Sequence, residues 1–272
     1  MYTNIISAAD LAAVLPQSTV LDCRAKLGDA NWGRTAYLSG HIAGAYYADL
    51  DRDMADPPND HGRHPLPERA RFEAIIRRWG VDAGTQVVAY DDAGGAYAAR
   101  AWWMFRWMGH ESVAVLDGGL AAWGEALKTG DEAPPGTSDF STRDPLTRCI
   151  SSDELSGQLA SQQPPTLVDA RTRPRWAGAE EPIDPIAGHI PGAHCYPFQE
   201  NLDAQGSFKS PAELRARFNA PGAEIVCYCG SGVTAAHNIL AMHLAGLAEP
   251  VLYADSWSGW ITDPSRPVAT AT

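Results

Sequence analysis

The chain has 272 residues, 45% of them hydrophobic and 20% charged, with a formal net charge of −12. That length and apolar share support one large or two ordinary globular domains, and the acidic balance argues against nucleic acid or an anionic membrane as partner while leaving room for a small anion bound locally. No apolar run reaches the roughly 18 residues of a membrane span, the first residues lack a signal-type pattern, and five cysteines, an odd number, read as reduced thiols, so a cytoplasmic protein is expected.

In chain order, short β-branched runs alternate with helical patterns. TVLDC at 19–23 is followed by SGHIAGAYYADL from Ser39, by the helical pattern ERARFEAIIRRWG, by QVVAY from Gln86 and by VAVLD, which leads into GGLAAW ending at Trp123. A stretch rich in Gly, Pro and polar residues, EALKTGDEAPPGTSDFSTRDP, then has the composition of a surface linker. The order then repeats. LVDAR at 167–171 answers VLDCR at 20–24, AGHIPGAHCYPF from Ala187 answers the Ser39 segment, EIVCYCGSGVTAAHNILAM from Glu224 answers the Gln86 segment, and PVLYADSWSGW ends at Trp260. Four matches in register mean a duplication. The expectation is an α/β chain of two tandem domains, each a mainly parallel sheet flanked by helices: residues 1–125, a linker over 126–145, and residues 146–272.

In such sheets ligands gather at the carboxyl ends of strands. There the strand EIVCY runs into Cys229, Gly230, Ser231, Gly232, Val233 and Thr234, and a helix follows. A short arc closing onto a helix can turn consecutive backbone N–H groups toward one point, and glycines permit the angles this needs. The natural occupant is an anion, and the same field favours a nucleophilic thiolate on Cys229. A lone cysteine is also often a small buried residue; strand, glycine arc and helix together favour the functional reading.

The paired domains, the repeated GHIxGA segments, the Cys229 loop and the SWSGW segment resemble the two-domain rhodanese family of sulfurtransferases over nearly the whole chain. The loop CGSGVT looks like the 3-mercaptopyruvate sulfurtransferase branch. The resemblance implies that Cys229 takes a sulfur atom from a small anionic donor, 3-mercaptopyruvate or thiosulfate, holds it as a persulfide, and passes it to cyanide, a thiol or a thioredoxin-like acceptor. It implies substrate binding by Arg175, Gly230, Gly232, Val233 and Thr234, and a proton-transfer set of Ser231, His41 and Asp29. A second reading of His41 is a turn cap, since His189 recurs at the equivalent place. A second arginine that the branch places before GHIPG has no counterpart; Ile183 and Asp184 stand about there, so a looser hold on the donor carboxylate is expected. Neutral Gly230 and Ser231 favour a monoanion over a dianion. A thiosulfate-preferring enzyme and a non-catalytic persulfide carrier are the alternatives.

In the first copy Asp91 stands opposite Cys229 in an acidic loop without a sulfur nucleophile, which implies an inactive domain walling a cleft. Phosphatases related in fold place an arginine six positions after the nucleophile; here that residue is Ala235. Cys227 lies on the opposite face of its strand from Cys229 and is expected in the core. His189, His194 and Cys195 lack a second ligand pair, so neither a metal nor another cofactor is expected.

Overall fold

The computed structural model describes residues 1–133, 135–136, 138–219 and 224–271. Residues 134 and 137 of the expected linker, Ala220 at the end of the helical pattern AELRARFNA and Ala223 before the Cys229 strand lie outside the described residues. Among the described residues no helix is long and apolar enough to cross a membrane.

Each copy builds one five-stranded parallel sheet. In the first, β1 (Ile5–Ile6), β2 (Ser18–Asp22), β3 (Ala45–Tyr47), β4 (Gln86–Tyr90) and β5 (Val113–Leu116) lie in the order β1-β5-β4-β2-β3. In the second, β6 (Cys149–Ile150), β7 (Thr166–Asp169), β8 (His194–Cys195), β9 (Ile225–Tyr228) and β10 (Val251–Tyr253) follow the same order, β6-β10-β9-β7-β8. The central strands are buried on both faces, as Val87–Tyr90 and Val226–Tyr228 are. This is why they read as unbroken apolar runs and not as alternating ones. Helices cover the sheets: Ala98–Trp107 packs on β4 and β5, and Thr234–Leu244 on β9 and β10. Two helices of the second copy begin at capping boxes, Ser151 with Glu154 and Ser210 with Glu213, which satisfy backbone donors that a helix start leaves unpaired.

The repeated D-x-R and G-H-I segments form one latch, built twice. At the end of β2, Arg24 grips Asp22 through Nε and Nη2, with Nη2 2.6 Å from Oδ2, and Nη2 also donates to the Gly40 carbonyl at 2.7 Å. The Tyr90 hydroxyl donates to Asp22 at 2.7 Å and accepts from the Ile42 N–H at 3.2 Å. At the end of β7, Arg171 repeats this with Asp169 and the Gly188 carbonyl, each at 2.7 Å, and Tyr228 accepts from the Ile190 N–H at 3.2 Å. The histidines belong to the latch. His41 bonds the Tyr37 carbonyl at 2.9 Å and stacks on the Tyr37 ring, while His189 bonds the Trp176 carbonyl at 2.7 Å and stacks on Trp176.

The compact units depart from a division at one linker. The first comprises Met1–Asp56, Leu66–Leu146 and Ala204–Phe208; the second comprises Pro57–Pro65, Thr147–Asp203 and Lys209–Thr272. Residues 57–65 join the second unit because they are fastened to the helix Ser256–Trp260 and the residues after it. The Arg63 N–H donates to Ser258 Oγ at 3.1 Å, and Thr262 Oγ1 donates to the Asp60 carbonyl at 3.1 Å. Gly62 makes the approach possible: its φ is +102°, and a Cβ there would stand 2.5 Å from Ser258 Oγ. Phe208 joins the first unit by donating its N–H to Asp117 at 2.8 Å.

Because Asp22 and Arg24 are both buried, removing one charge alone strands the other. Arg24→Met is expected to destabilise the first unit by about 3–5 kcal/mol in urea denaturation, and adding Asp22→Leu to recover much of that loss.

Candidate active site

At the end of β9 the chain enters the predicted arc, and Cys229 is 2% exposed at its start. The Cys229 N–H donates to Ser256 Oγ at 3.0 Å, and Ser256 Oγ donates to the Tyr253 carbonyl at 2.9 Å. The carbonyls of Cys229 and Gly230 accept from the N–H groups of Trp257 and Ser258 at 3.0 and 2.9 Å. The first peptides of the loop are thereby locked to the start of the Ser256–Trp260 helix. Ser256 is the one non-glycine residue with positive φ among those described, at 55°, and such strain persists where surrounding bonds over-determine it.

The two loop glycines serve different ends. Gly232 has a φ of +74°, which turns the arc toward the helix Thr234–Leu244. Gly230 leaves room for side chains: a Cβ there would be 2.9 Å from Arg63 Nη2 and 3.5 Å from Arg175 Nη2. Two guanidinium groups therefore press against the residue next to Cys229. The sequence predicted Arg175 here and no second arginine. Arg63 supplies it, from a segment about 165 residues earlier in the chain.

These arginines end an alternating series of charges that starts from the β7 latch. Arg171 pairs with Asp169 at 2.7 Å and reaches Glu181 at 3.4 Å; Arg175 meets Glu181 at 2.8 Å and Asp184 at 3.1 Å; Asp184 also pairs with Arg63. Glu181 further accepts the backbone N–H groups of Ile183 and Asp184, each at 3.1 Å. The Arg171 guanidinium lies 4.7 Å from the Trp257 ring centroid. Burial holds the Arg63 guanidinium below the usual arginine range; the Cys229 sulfur opposes this, and neighbouring Arg175 reinforces it. Arg63 Nε is buried without a partner among the described residues.

Ser231 is buried, and His64 Nδ1 lies 2.7 Å from its Oγ. The structure thus brings a histidine to Ser231, but it is His64 and not the expected His41. His41 is fully buried, with Nδ1 on the Tyr37 carbonyl and Nε2 3.3 Å from Glu132, so both ring nitrogens are engaged inside the first unit. Asp29 does not orient it. That carboxylate is exposed and accepts from the Asn31 N–H at 3.3 Å. His41 thus makes the contacts of a turn cap, its second reading, and the hydrogen-bond partners of neither His41 nor Asp29 include Ser231. Sequence reasoning passed over Arg63 and His64; the available signal was the cluster HGRH beside Pro65, polar residues gathered around a glycine.

Val233 and Thr234 stand where the loop meets its helix. Cys227 is fully buried, and burial pushes its thiol well up. Burial, followed by Asp169, pushes the half-buried Cys195 up to about 11. Among the described residues no three His, Cys, Asp or Glu side chains converge as metal ligands.

In the first unit the corresponding loop is closed by its own side chain. The Asp91 carboxylate, opposite Cys229 in the repeat, accepts the N–H groups of Ala93, Gly95, Tyr97 and Ala98 at 2.8–2.9 Å. The N–H groups of that loop are met by its own side chain.

Comparison with known proteins places these features in context. The Rhodanese-like domain family matches residues 7–126 and 151–263. A Pseudomonas aeruginosa protein named "Probable 3-mercaptopyruvate sulfurtransferase" is 49% identical over 98% of both chains. The thiosulfate sulfurtransferase of Bos taurus is 36% identical over 85% of this chain and 83% of its own. The crystal structure of SseA from Escherichia coli, described among 3-mercaptopyruvate sulfotransferases, superposes with a TM-score of 0.78 at 30% identity, covering 94% of this chain and all of SseA.

Gly62→Ala should lift residues 57–65 from the helix, because the added methyl meets Ser258 and the backbone conformation is one that L side chains rarely adopt. The expected outcome is faster amide hydrogen exchange confined to residues 57–65 and the Ser258 region, with unchanged protection in β7 and β9.

Proposed function

The chain belongs to the rhodanese-like family, and from that membership we propose that it is a sulfurtransferase that carries sulfur on Cys229, with 3-mercaptopyruvate as preferred donor. The observation that carries this reading is the joint arrangement at the loop. A buried cysteine follows a parallel strand, two guanidinium groups lie against Gly230, and a serine–histidine pair stands two residues on.

The chemistry follows from these positions. Arg63 and Arg175 hold the donor carboxylate through charge-assisted hydrogen bonds. The Cys229 thiolate attacks the donor sulfur, a sulfur–sulfur bond forms, and the carbon–sulfur pair leaves on carbon as pyruvate enolate. The donor thiol gives up its proton as its sulfur becomes the outer sulfur of the persulfide anion; His64 takes that proton, and Ser231 gives its own proton to the carbon and recovers one from His64. The persulfide lies within the arc of N–H groups from Gly230 to Thr234, which suits an anion. A cyanide or thiol acceptor then takes the outer sulfur and returns the cysteine as thiolate. With thiosulfate the leaving group is sulfite, which departs with the bonding pair and needs no proton on carbon. The first unit, its arc filled by Asp91, carries no sulfur. The five cysteines are free, which suits a reducing, cytoplasmic setting.

Donor without acceptor should add the mass of one sulfur atom per chain, removable by cyanide and mapping to Cys229, and Cys229→Ser should abolish both loading and turnover. Retained turnover in that variant, or label on Cys227, would overturn the reading. Because only the enolate needs a proton, His64→Gln should lower kcat with mercaptopyruvate by roughly 10²–10⁴-fold and leave thiosulfate turnover much less affected. Arg175→Ala should cost mercaptopyruvate kcat/KM about 1.5–3 kcal/mol.

A further inference from the structure

The charge series ending at the loop holds three guanidinium groups, Arg63, Arg171 and Arg175, against three carboxylates, Asp169, Glu181 and Asp184, and so carries no net charge. Asp184 is the last carboxylate before the loop, and its side chain is 3% exposed. Water and salt therefore screen its charge weakly. It occupies both guanidinium groups that border Gly230 but spends few of their donors: Arg63 Nη1 and Arg175 Nη2 face Asp184, while Arg63 Nη2 and Arg175 Nη1 lie 2.9 and 3.6 Å from a Cβ built on Gly230. A donor carboxylate can use those nitrogens. A second negative charge on the donor would meet a neutral network with a fixed anion at its edge.

Resting on the sulfurtransferase reading above, we propose that Asp184 sets donor selectivity by charge: it holds Arg63 and Arg175 in place for a monoanionic carboxylate and repels a dianion. It is a positioning residue, since it acts through the two arginines and through its own field. Glu181 fixes it in turn by accepting the Ile183 and Asp184 N–H groups.

Asp184→Asn removes the charge and keeps the shape. The expected result is a kcat/KM for thiosulfate about tenfold higher, with that for mercaptopyruvate reduced by about threefold as the two arginines lose their anchor. A merely structural role would lower both donors alike, and an unchanged ratio overturns the proposal. Glu180→Gln removes an exposed carboxylate outside the series and should leave the ratio within about twofold; an equal shift there would mean general surface charge and also overturn it. Calorimetric binding of sulfate and pyruvate needs no turnover. Sulfate should bind Asp184→Asn about tenfold more tightly than the unmodified protein, with pyruvate changed by less than about threefold. Sulfate tightening without sulfur transfer by the unmodified protein would sink the enzymatic reading and leave the charge sorting standing; normal transfer without tightening would do the reverse. Should Asp184→Asn fail to fold, Asp184→Ser carries the same binding test.

Discussion

The buried pair of Asp169 and Arg171 is the constraint on which the site depends. It closes the end of β7, ties that strand to the Gly188 turn, and presents Arg171 to both Trp257 and Glu181. Glu181 in turn orients Arg175 and Asp184, and Asp184 reaches Arg63. Charged groups this far from water persist only when each is paired, so displacing one member disturbs its neighbours. The guanidinium groups beside Gly230 are therefore placed by the framework and not by their own flexible stems, which reduces the ordering that donor binding would otherwise require.

The duplication separates framework from function. Both copies keep the aspartate–arginine–tyrosine latch, the strand order and the stacked histidine. They differ where the central strand ends. In one copy an aspartate gathers the loop N–H groups on its own carboxylate; in the other a cysteine stands at that place. Corresponding strand ends thus lead into a loop capped by its own carboxylate in one unit and into the Cys229 loop in the other.

The parallel sheets were readable from the sequence because doubly buried strands leave unbroken apolar runs, and the in-register repeat of VLDCR and LVDAR fixed the architecture. Cys229 was readable because its signal is local: a strand, small residues and a helix within a dozen positions. Arg63 and His64 were not. They lie far from the loop in sequence, on a segment without periodicity, and reach it only through the contact that Gly62 allows. His41 reads two ways for the opposite reason: its motif recurs at both turns, where the histidine bonds a carbonyl and stacks on a ring, and recurrence of that kind marks framework. Asp184 was noted only as the place of an absent arginine; that it joins two arginines depends on a pairing that sequence spacing does not encode.

The central claim is that Arg63 and Arg175 together seat a donor anion over the Cys229 loop. A crystal structure of the Cys229→Ser protein with 3-mercaptopyruvate tests it most directly. The carboxylate should lie within hydrogen-bonding distance of both guanidinium groups, with the donor sulfur against residue 229 and its methylene carbon facing Ser231. A carboxylate held elsewhere, or a donor sulfur turned away from residue 229, would contradict it.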